Sequence, residues 1–236
     1  MSRSKIRGAT FATIALTLAL LAARPTYAQT PSPAQKEREA RFLAVLAKPD
    51  ATRQDRSEAC RELALVATRD AVAPLAKLLA DPELAHMGRY ALEPIPDPAV
   101  DAALRDAVGK VKGRLLVGVI GSLGVRRDAS AVGLLTPCLA DSDSEVASAA
   151  ARALGKIGTP EAAKAIETAL SNAPASNVGP LAEGLFRCAD ALAAHEHRGE
   201  AVALLDRLSD PKFPPQVRTG AQAKARLLKV EQAKGL

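Results

Sequence analysis

The segment His195-Glu196-His197 has the side chains best suited to chemistry, because imidazole and carboxylate groups are common metal ligands. On a helix, however, two residues of spacing direct the two imidazoles to different sides. We therefore expect a solvated polar helix end here and no bound metal. The alternative is a single zinc or iron site that uses His195 and His197 with Glu196 or Glu200.

The three cysteines, Cys60, Cys138 and Cys188, could act as nucleophiles or form one internal disulfide. A cysteine nucleophile needs a base beside it, and no histidine occupies a repeat position that would pair with one. We expect buried structural thiols. Whether any two of them form a disulfide stays open.

One glycine-rich run contains Gly118, Gly121 and Gly124. A phosphate-binding loop follows a β-strand, and no strand is predicted before this run. The glycines instead predict close approach of helices. The sequence therefore predicts no catalytic and no cofactor-binding residue.

The amino-acid composition excludes several classes of protein. With 48% hydrophobic, 25% charged and 3% aromatic residues, the chain resembles neither collagen, a disulfide scaffold nor a mostly disordered protein. Abundant alanine and the absence of tryptophan favour helices packed through small side chains, so we predict an all-α fold.

The first 28 residues read as an export signal. A positive start with Arg3, Lys5 and Arg7 precedes the uncharged stretch Gly8–Ala23, and small residues end at Ala28, where cleavage is expected. The alternative is a membrane anchor, for which 16 apolar residues are too few. We expect a periplasmic or secreted protein with no membrane span after signal removal.

Removal of the signal takes four basic residues and lowers the formal net charge from +6 to +2. The remaining chain has nearly balanced charges, so it has no general electrostatic reason to bind nucleic acid.

Three series of apolar residues repeat in common register, at spacings of 29, 31 and 31 residues and then 31 or 38. They are Leu63, Leu92, Leu123, Leu154 and Leu185; Leu75, Leu104, Leu135, Ile166 and Leu204; and Leu79, Val108, Leu139, Leu170 and Leu208. Such a period predicts stacked two-helix repeats, with the series as their core.

The predicted organisation is an α-solenoid over residues 34–236, after a disordered lead over 29–33. Amphipathic helices over 34–47 and 214–232 are expected to cap its two ends. The repeats are expected at about 50–80, 81–109, 112–140, 143–171 and 177–209.

Residues 139–146 and 151–162 resemble the short HEAT repeat found in phycobilin lyase subunits and deoxyhypusine hydroxylase. The resemblance covers about residues 50–229 and is strongest from 112 to 171. It implies a right-handed superhelix with first helices on the convex side and second helices on the concave side; together with the predicted export signal, it indicates an exported bacterial HEAT-repeat protein.

The metal ligands of deoxyhypusine hydroxylase do not carry over. In that family, His-Glu pairs stand six residues before the leucine of the Leu-Gly turn. Only His86 matches a histidine of this pattern, and Met87 follows it where the family has a carboxylate.

The candidate contact surfaces are the concave face and an interaction edge of six residues. Most lie in turns between first and second helices, and the edge comprises Arg69, Arg89, Tyr90, Arg126, Arg127 and Lys156. The alternative is that these are ordinary solvated charges, with Asp70 and Asp128 capping the second helices.

The sequence therefore predicts a non-catalytic module that binds or scaffolds another protein or a peptide, in part by analogy of fold. Three alternatives stay open: an accessory subunit resembling a bilin lyase, a degenerate metal-binding HEAT-repeat enzyme, and a self-associating envelope protein.

Overall fold

The computed structural model describes residues 30–194 and 197–233. Within those residues the chain forms α-helices and short 3₁₀ helices and no strand, and it is an all-α solenoid, as predicted. The α-helices are α1 (Pro33–Ala47), α2 (Arg53–Val66), α3 (Val72–Ala76), α4 (Ala85–Leu92), α5 (Pro98–Val108), α6 (Gly113–Val125), α7 (Val132–Leu135), α8 (Ser144–Ile157), α9 (Pro160–Ser171), α10 (Ala175–Ala194), α11 (Arg198–Leu208) and α12 (Pro215–Ala233).

The helices form two layers. The first helices of successive repeats, α2, α4, α6, α8 and α10, pack side by side, and the second helices α3, α5, α7, α9 and α11 form the other layer. The short helices α3 and α7 are each flanked by two 3₁₀ helices. These flanking segments are Arg69–Ala71, Lys77–Ala80, Ala129–Ala131 and Pro137–Ala140.

The three repeating series form the core between the layers, as their register predicts. All five leucines of the first series have no exposed surface, and no member of the other two series exceeds 8% exposure. Burying a leucine fully contributes about 1.5–3 kcal/mol, so these columns hold helices that are individually too short to be stable in water.

Small residues let the first helices approach closely. A Cβ placed on Gly124 of α6 would stand 2.7 Å from the Cα of Ala153 in α8. A Cβ on Gly155 of α8 would stand 2.7 Å from the carbonyl oxygen of Gly184 in α10. Any side chain at these two positions would push the helices apart.

Capping residues begin several helices. The Thr159 hydroxyl accepts a hydrogen bond from the amide of Ala162, and the Asp97 carboxylate accepts one from Ala99 before α5. Asp81 instead caps a turn: its carboxylate accepts from the amides of Glu83 and Leu84, and helix α4 begins four residues later, at Ala85.

The predicted capping role of Asp70 is wrong, and that of Asp128 is right. Before the 3₁₀ helix Arg69–Ala71 the cap is the Thr68 hydroxyl, which accepts from the amide of Asp70. The equivalent turn is capped by Asp128, whose carboxylate accepts from the amide of Ser130.

The two ends of the stack are built differently from the middle. Helix α1 packs on α2 and is fixed by buried Glu39, whose carboxylate accepts hydrogen bonds from the Thr68 amide and hydroxyl at 2.7 and 3.0 Å. Helix α10 continues nine residues beyond Leu185, which accounts for the longer fifth repeat.

In the described part of the chain, no helix is both long and apolar enough to cross a membrane. The predicted export signal lies outside the described residues.

Candidate functional site

Arg126, predicted to be a cation of an exposed edge, points into the fold. Its side chain is 12% exposed, and its guanidinium donates to the carbonyl oxygens of Glu93, Ile95 and Asp97 at 2.8, 2.9 and 3.2 Å. A fourth partner is the carboxylate of Asp101 in α5, at 3.0 Å from Nη2.

These contacts help to hold the turn between α4 and α5, which contains Pro94 and Pro96. Proline provides no amide hydrogen, so few backbone amides can close the turn; those of Ile95, Asp97 and Val100 do so. Arg126 of the following repeat adds side-chain donors to three turn carbonyls and so ties the turn to the end of α6. The structure therefore gives Arg126 a role in the fold, and its charge is not offered to a partner.

Arg69 and Arg127 lie on the surface near the same turns. Arg69 is exposed, with Nη1 3.7 Å from the Asp97 carboxylate. Arg127 has a left-handed backbone (φ 54°), and its amide donates to the carbonyl of Gly124 where α6 ends. Arg69 follows α2 and Arg127 follows α6, so both residues belong to turns between first and second helices.

Arg89 occupies a register position that is buried and apolar elsewhere. The equivalent residues of the other four repeats are no more than 5% exposed; they are Cys60, Ile120, Ala151 and Ala182. The guanidinium carbon of Arg89 lies 2.3 Å from where a Cβ of Gly118 would stand, so the arginine fills the space of a missing side chain on α6. Burial lowers the pKa of Arg89, an effect that nearby Glu93 opposes.

The same seam between α4 and α6 contains a second polar contact. The Ser122 hydroxyl donates to a carboxylate oxygen of Glu93 at 2.7 Å. Because Ser122 is buried, this bond ties Glu93 to α6. The α4–α6 seam is therefore polar, whereas the α6–α8 and α8–α10 contacts are made by small residues.

Two rows of surface residues cross the five first helices, and we call them together the first-helix face. They stand two residues before and two residues after the buried leucine of each repeat, so they lie one helical turn apart. The rows are Arg61, Tyr90, Gly121, Arg152 and Glu183; and Leu65, Pro94, Val125, Lys156 and Arg187.

The first three repeats of the first-helix face carry exposed apolar residues. Leu65, Tyr90 and Val125 are 71%, 49% and 51% exposed, and Pro94 is exposed beside them. Gly121 leaves open space on this face, since a Cβ added there would have no neighbour within 4 Å. Sequence reasoning found Tyr90 and Lys156 of this face but missed its other members, although the 29- and 31-residue spacing would have placed them.

The charged side chains of the face form ion pairs in the first and fifth repeats, whereas those of the fourth repeat form none with the described residues. Arg61 pairs with Glu58, and Arg187 pairs with Glu183. Arg152 and Lys156 of α8 are exposed, and neither forms an ion pair with any described residue. These two positions therefore present unneutralised positive charge beside the apolar patch.

The second-helix layer contains two open grooves. One, about 640 Å³, lies between α3 and α5; its floor is mostly alanine, and Lys77 and Lys110 stand at its rim. The other, about 460 Å³, lies between α7 and α9. Lys110 pairs with Asp106, so part of the positive charge at the rim of the larger groove is neutralised.

The described histidines do not assemble a metal site. His86 is exposed on α4, and Nδ1 of His197 lies 3.0 Å from Oε1 of Glu200. No group of three metal-ligating side chains occurs among residues 30–194 and 197–233. His195 and Glu196 of the predicted polar helix end lie outside the described residues.

All three cysteines are free thiols. Cys60 and Cys188 have no exposed surface, as predicted, and burial raises their pKa values to about 11 and about 12. Cys138 is only partly buried, which differs from the prediction, and its pKa is also raised. A thiol that stays protonated at neutral pH is a poor nucleophile.

Comparison with known proteins gives one family match. Residues 97–185 match the family model of HEAT repeats. No curated protein matches the chain. An engineered protein of known crystal structure is 24% identical, with a TM-score of 0.47, over 81% of this chain and 96% of that chain. The chain is thus an all-α solenoid whose central residues are similar to HEAT repeats.

Proposed function

We propose that the chain is an exported, non-catalytic module that binds another protein through its first-helix face. The observation that carries the proposal is the exposure of Leu65, Tyr90 and Val125 at related positions of three successive repeats. Single exposed apolar residues are common on soluble proteins, but apolar residues grouped on one face are typical of interaction sites.

The backbone beneath this face supports a binding role. The side chains project from stacked helices, and α6 and α8 are packed so closely that a Cβ on Gly124 would stand 2.7 Å from the Cα of Ala153. Surface residues held on rigid elements lose little conformational freedom when a partner binds. Stacked helical repeats provide extended binding surfaces for this reason.

The proposed location rests on the first 28 residues. Their positive start, apolar stretch and small residues before Gln29 are typical of a cleaved export signal. We infer a periplasmic or secreted protein, whose partner shares that compartment.

Site-specific photo-crosslinking in the native host tests the proposal. Tyr90 or Val125 is replaced by p-benzoylphenylalanine, and Leu134 of α7 is replaced as the matched control because it is 40% exposed in the second-helix layer. We expect a discrete adduct with another protein from the first two positions and none from Leu134.

Three results would contradict the proposal. Adducts from Leu134 alone would move the contact to the other layer, and no adduct at any of the three positions would remove the evidence for a partner. An adduct between two copies of the chain would replace the proposed partner by self-association.

A further inference from the structure

We infer that the first-helix face binds an acidic segment of its partner, in which carboxylate side chains stand beside apolar ones. This inference rests on the proposed function and specifies the chemistry of the partner. Its basis is the distribution of paired and unpaired charges across the repeats.

Pairing within the chain neutralises the ends of the face and leaves one region positive. At the first repeat Arg61 lies 3.1 Å from Glu58, and at the fifth Arg187 lies 2.7 Å from Glu183. In the fourth repeat the equivalent positions are Arg152 and Lys156, which have no carboxylate partner in the described chain.

A third cation extends the positive region across α6. Arg114 is exposed and stands on the same side of the helix as Gly118 and Gly121, at the spacing of one and two helical turns. It also forms no ion pair within the described residues. Exposed positive charge therefore stands on two successive first helices, α6 and α8.

Arg89 adds a cation that is partly removed from water. Its guanidinium lies against Gly118 and forms no hydrogen bond with any described residue, and the nearby Glu93 carboxylate accepts from Ser122. A partly buried guanidinium without hydrogen bonds is costly, and charge-assisted hydrogen bonds to a carboxylate are among the strongest available.

The apolar patch distinguishes a peptide from other anions. Leu65, Tyr90 and Val125 give contact area that a highly charged nucleic acid backbone would not use, and the open space at Gly121 admits a side chain. Because the arginines at the ends of the face are neutralised by Glu58 and Glu183, the positive region is too short to follow a long polyanion. A segment with a few acidic and apolar residues fits both features.

The first experiment selects the preferred ligand without assuming its sequence. A phage library of random peptides of about twelve residues is panned against the mature chain, with and without Arg152→Glu and Lys156→Glu combined. We expect the recovered peptides to be enriched in Asp or Glu together with apolar residues, and we expect this enrichment to disappear on the variant.

The second experiment measures affinity for the most enriched peptide, labelled with fluorescein. Charge reversal at Arg152 and Lys156 should weaken the Kd by about tenfold or more, since two attractive pairs become repulsive. The matched control, Lys77→Glu with Lys164→Glu, makes the same change of net charge at exposed, unpaired lysines of the second-helix layer and should alter the Kd by less than about twofold. Circular dichroism confirms that both variants are folded.

The outcomes separate this inference from the proposed function. Enrichment of non-acidic peptides, equal weakening by both variants, or no enrichment would overturn the acidic ligand, while crosslinks from Tyr90 would still support protein binding. Tighter binding to phosphatidylglycerol vesicles than to the selected peptide, lost on the same charge reversal, would assign the positive region to a membrane surface and also overturn the inference.

Discussion

Gly184 of α10 lies so close to α8 that a Cβ on it would stand 2.6 Å from the carbonyl oxygen of Ala151. The contact is reciprocal, because a Cβ on Gly155 of α8 would stand 2.7 Å from the carbonyl oxygen of Gly184. The obstructing atoms belong to the backbone and cannot rotate away. The spacing of these two first helices is therefore set by the absence of side chains.

Gly184→Ala should destabilise the protein although alanine is the better helix former. The gain in helix propensity is about 1 kcal/mol, whereas overpacking against fixed atoms costs about 1–3 kcal/mol and requires the helices to separate. We expect a net loss in the free energy of unfolding, measured by urea denaturation followed by circular dichroism.

Gly121→Ala is the matched control, because an added Cβ would have no neighbour within 4 Å. That change should leave stability unchanged or raise it by up to about 1 kcal/mol. Equal effects of the two substitutions would show that close packing at Gly184 does not limit stability.

Arg126→Ala should lower the free energy of unfolding by about 3 kcal/mol, as expected for breaking a largely buried charge pair. The substitution would remove the guanidinium donors from the carboxylate of Asp101 and from three turn carbonyls, of which those of Ile95 and Asp97 keep a backbone amide donor. Arg126→Lys should recover only part of the loss, since an ammonium cannot span those acceptors as a planar guanidinium does. Chemical denaturation of both variants provides the measurement.

Arg152→Ala serves as the comparison for Arg126, because Arg152 is exposed and unpaired among the described residues. Its removal should change stability by no more than about 0.5 kcal/mol. A loss for Arg126→Ala as small as this would contradict the role assigned to its guanidinium.

The core could be predicted from the sequence because its spacing is nearly constant. Leu63, Leu123 and Leu154 are buried at equivalent places, since a stack repeats the same environment at each layer. The start of α4 could not be predicted as well. Asp81 and Pro82 have the composition of a helix start, but Asp81 caps a turn and regular helix begins at Ala85.

The candidate site was predicted less completely, because residue type does not reveal which partner a side chain finds. Arg126 and Lys156 are both basic residues close to the end of a first helix, yet one is satisfied by carbonyls of the preceding repeat and the other is exposed. The position of Arg89 over Gly118 depends on contact between repeats, which spacing alone does not show.

The mature protein should begin at Gln29. The small residues before this position match the requirement of a signal peptidase, and the uncharged stretch before them is too short to remain as a spanning helix. Intact mass and N-terminal sequencing of protein from the envelope or medium check the cleavage. Ala28→Arg should block it and cause the precursor to accumulate, and an unprocessed wild-type chain would contradict export by this signal.

The three cysteines should react with thiol reagents at different rates. Cys138 is partly exposed and should react first in the folded protein at pH 8. Cys60 and Cys188 are inaccessible and mostly protonated, so they should react only as the chain unfolds. Mass spectrometry after iodoacetamide treatment should find one rapidly modified site, absent in Cys138→Ser, and three sites in guanidinium chloride. Rapid modification of Cys188 in the folded chain would contradict its burial.

Alkaline pH should weaken the fold through the two buried thiols. Their folded pKa values, about 11 and about 12, lie above the ordinary value of 9.0. Below pH 9 both the folded and unfolded states hold these protons; as the pH rises further, the unfolded state releases them first, so the free energy of unfolding falls. Replacing Cys60 and Cys188 by alanine removes this contribution but also costs packing energy at every pH. The informative measurement is therefore the slope of stability against pH between about 9 and 11: it should be shallower in the double variant, and an unchanged slope would show that the thiols do not titrate as their burial requires.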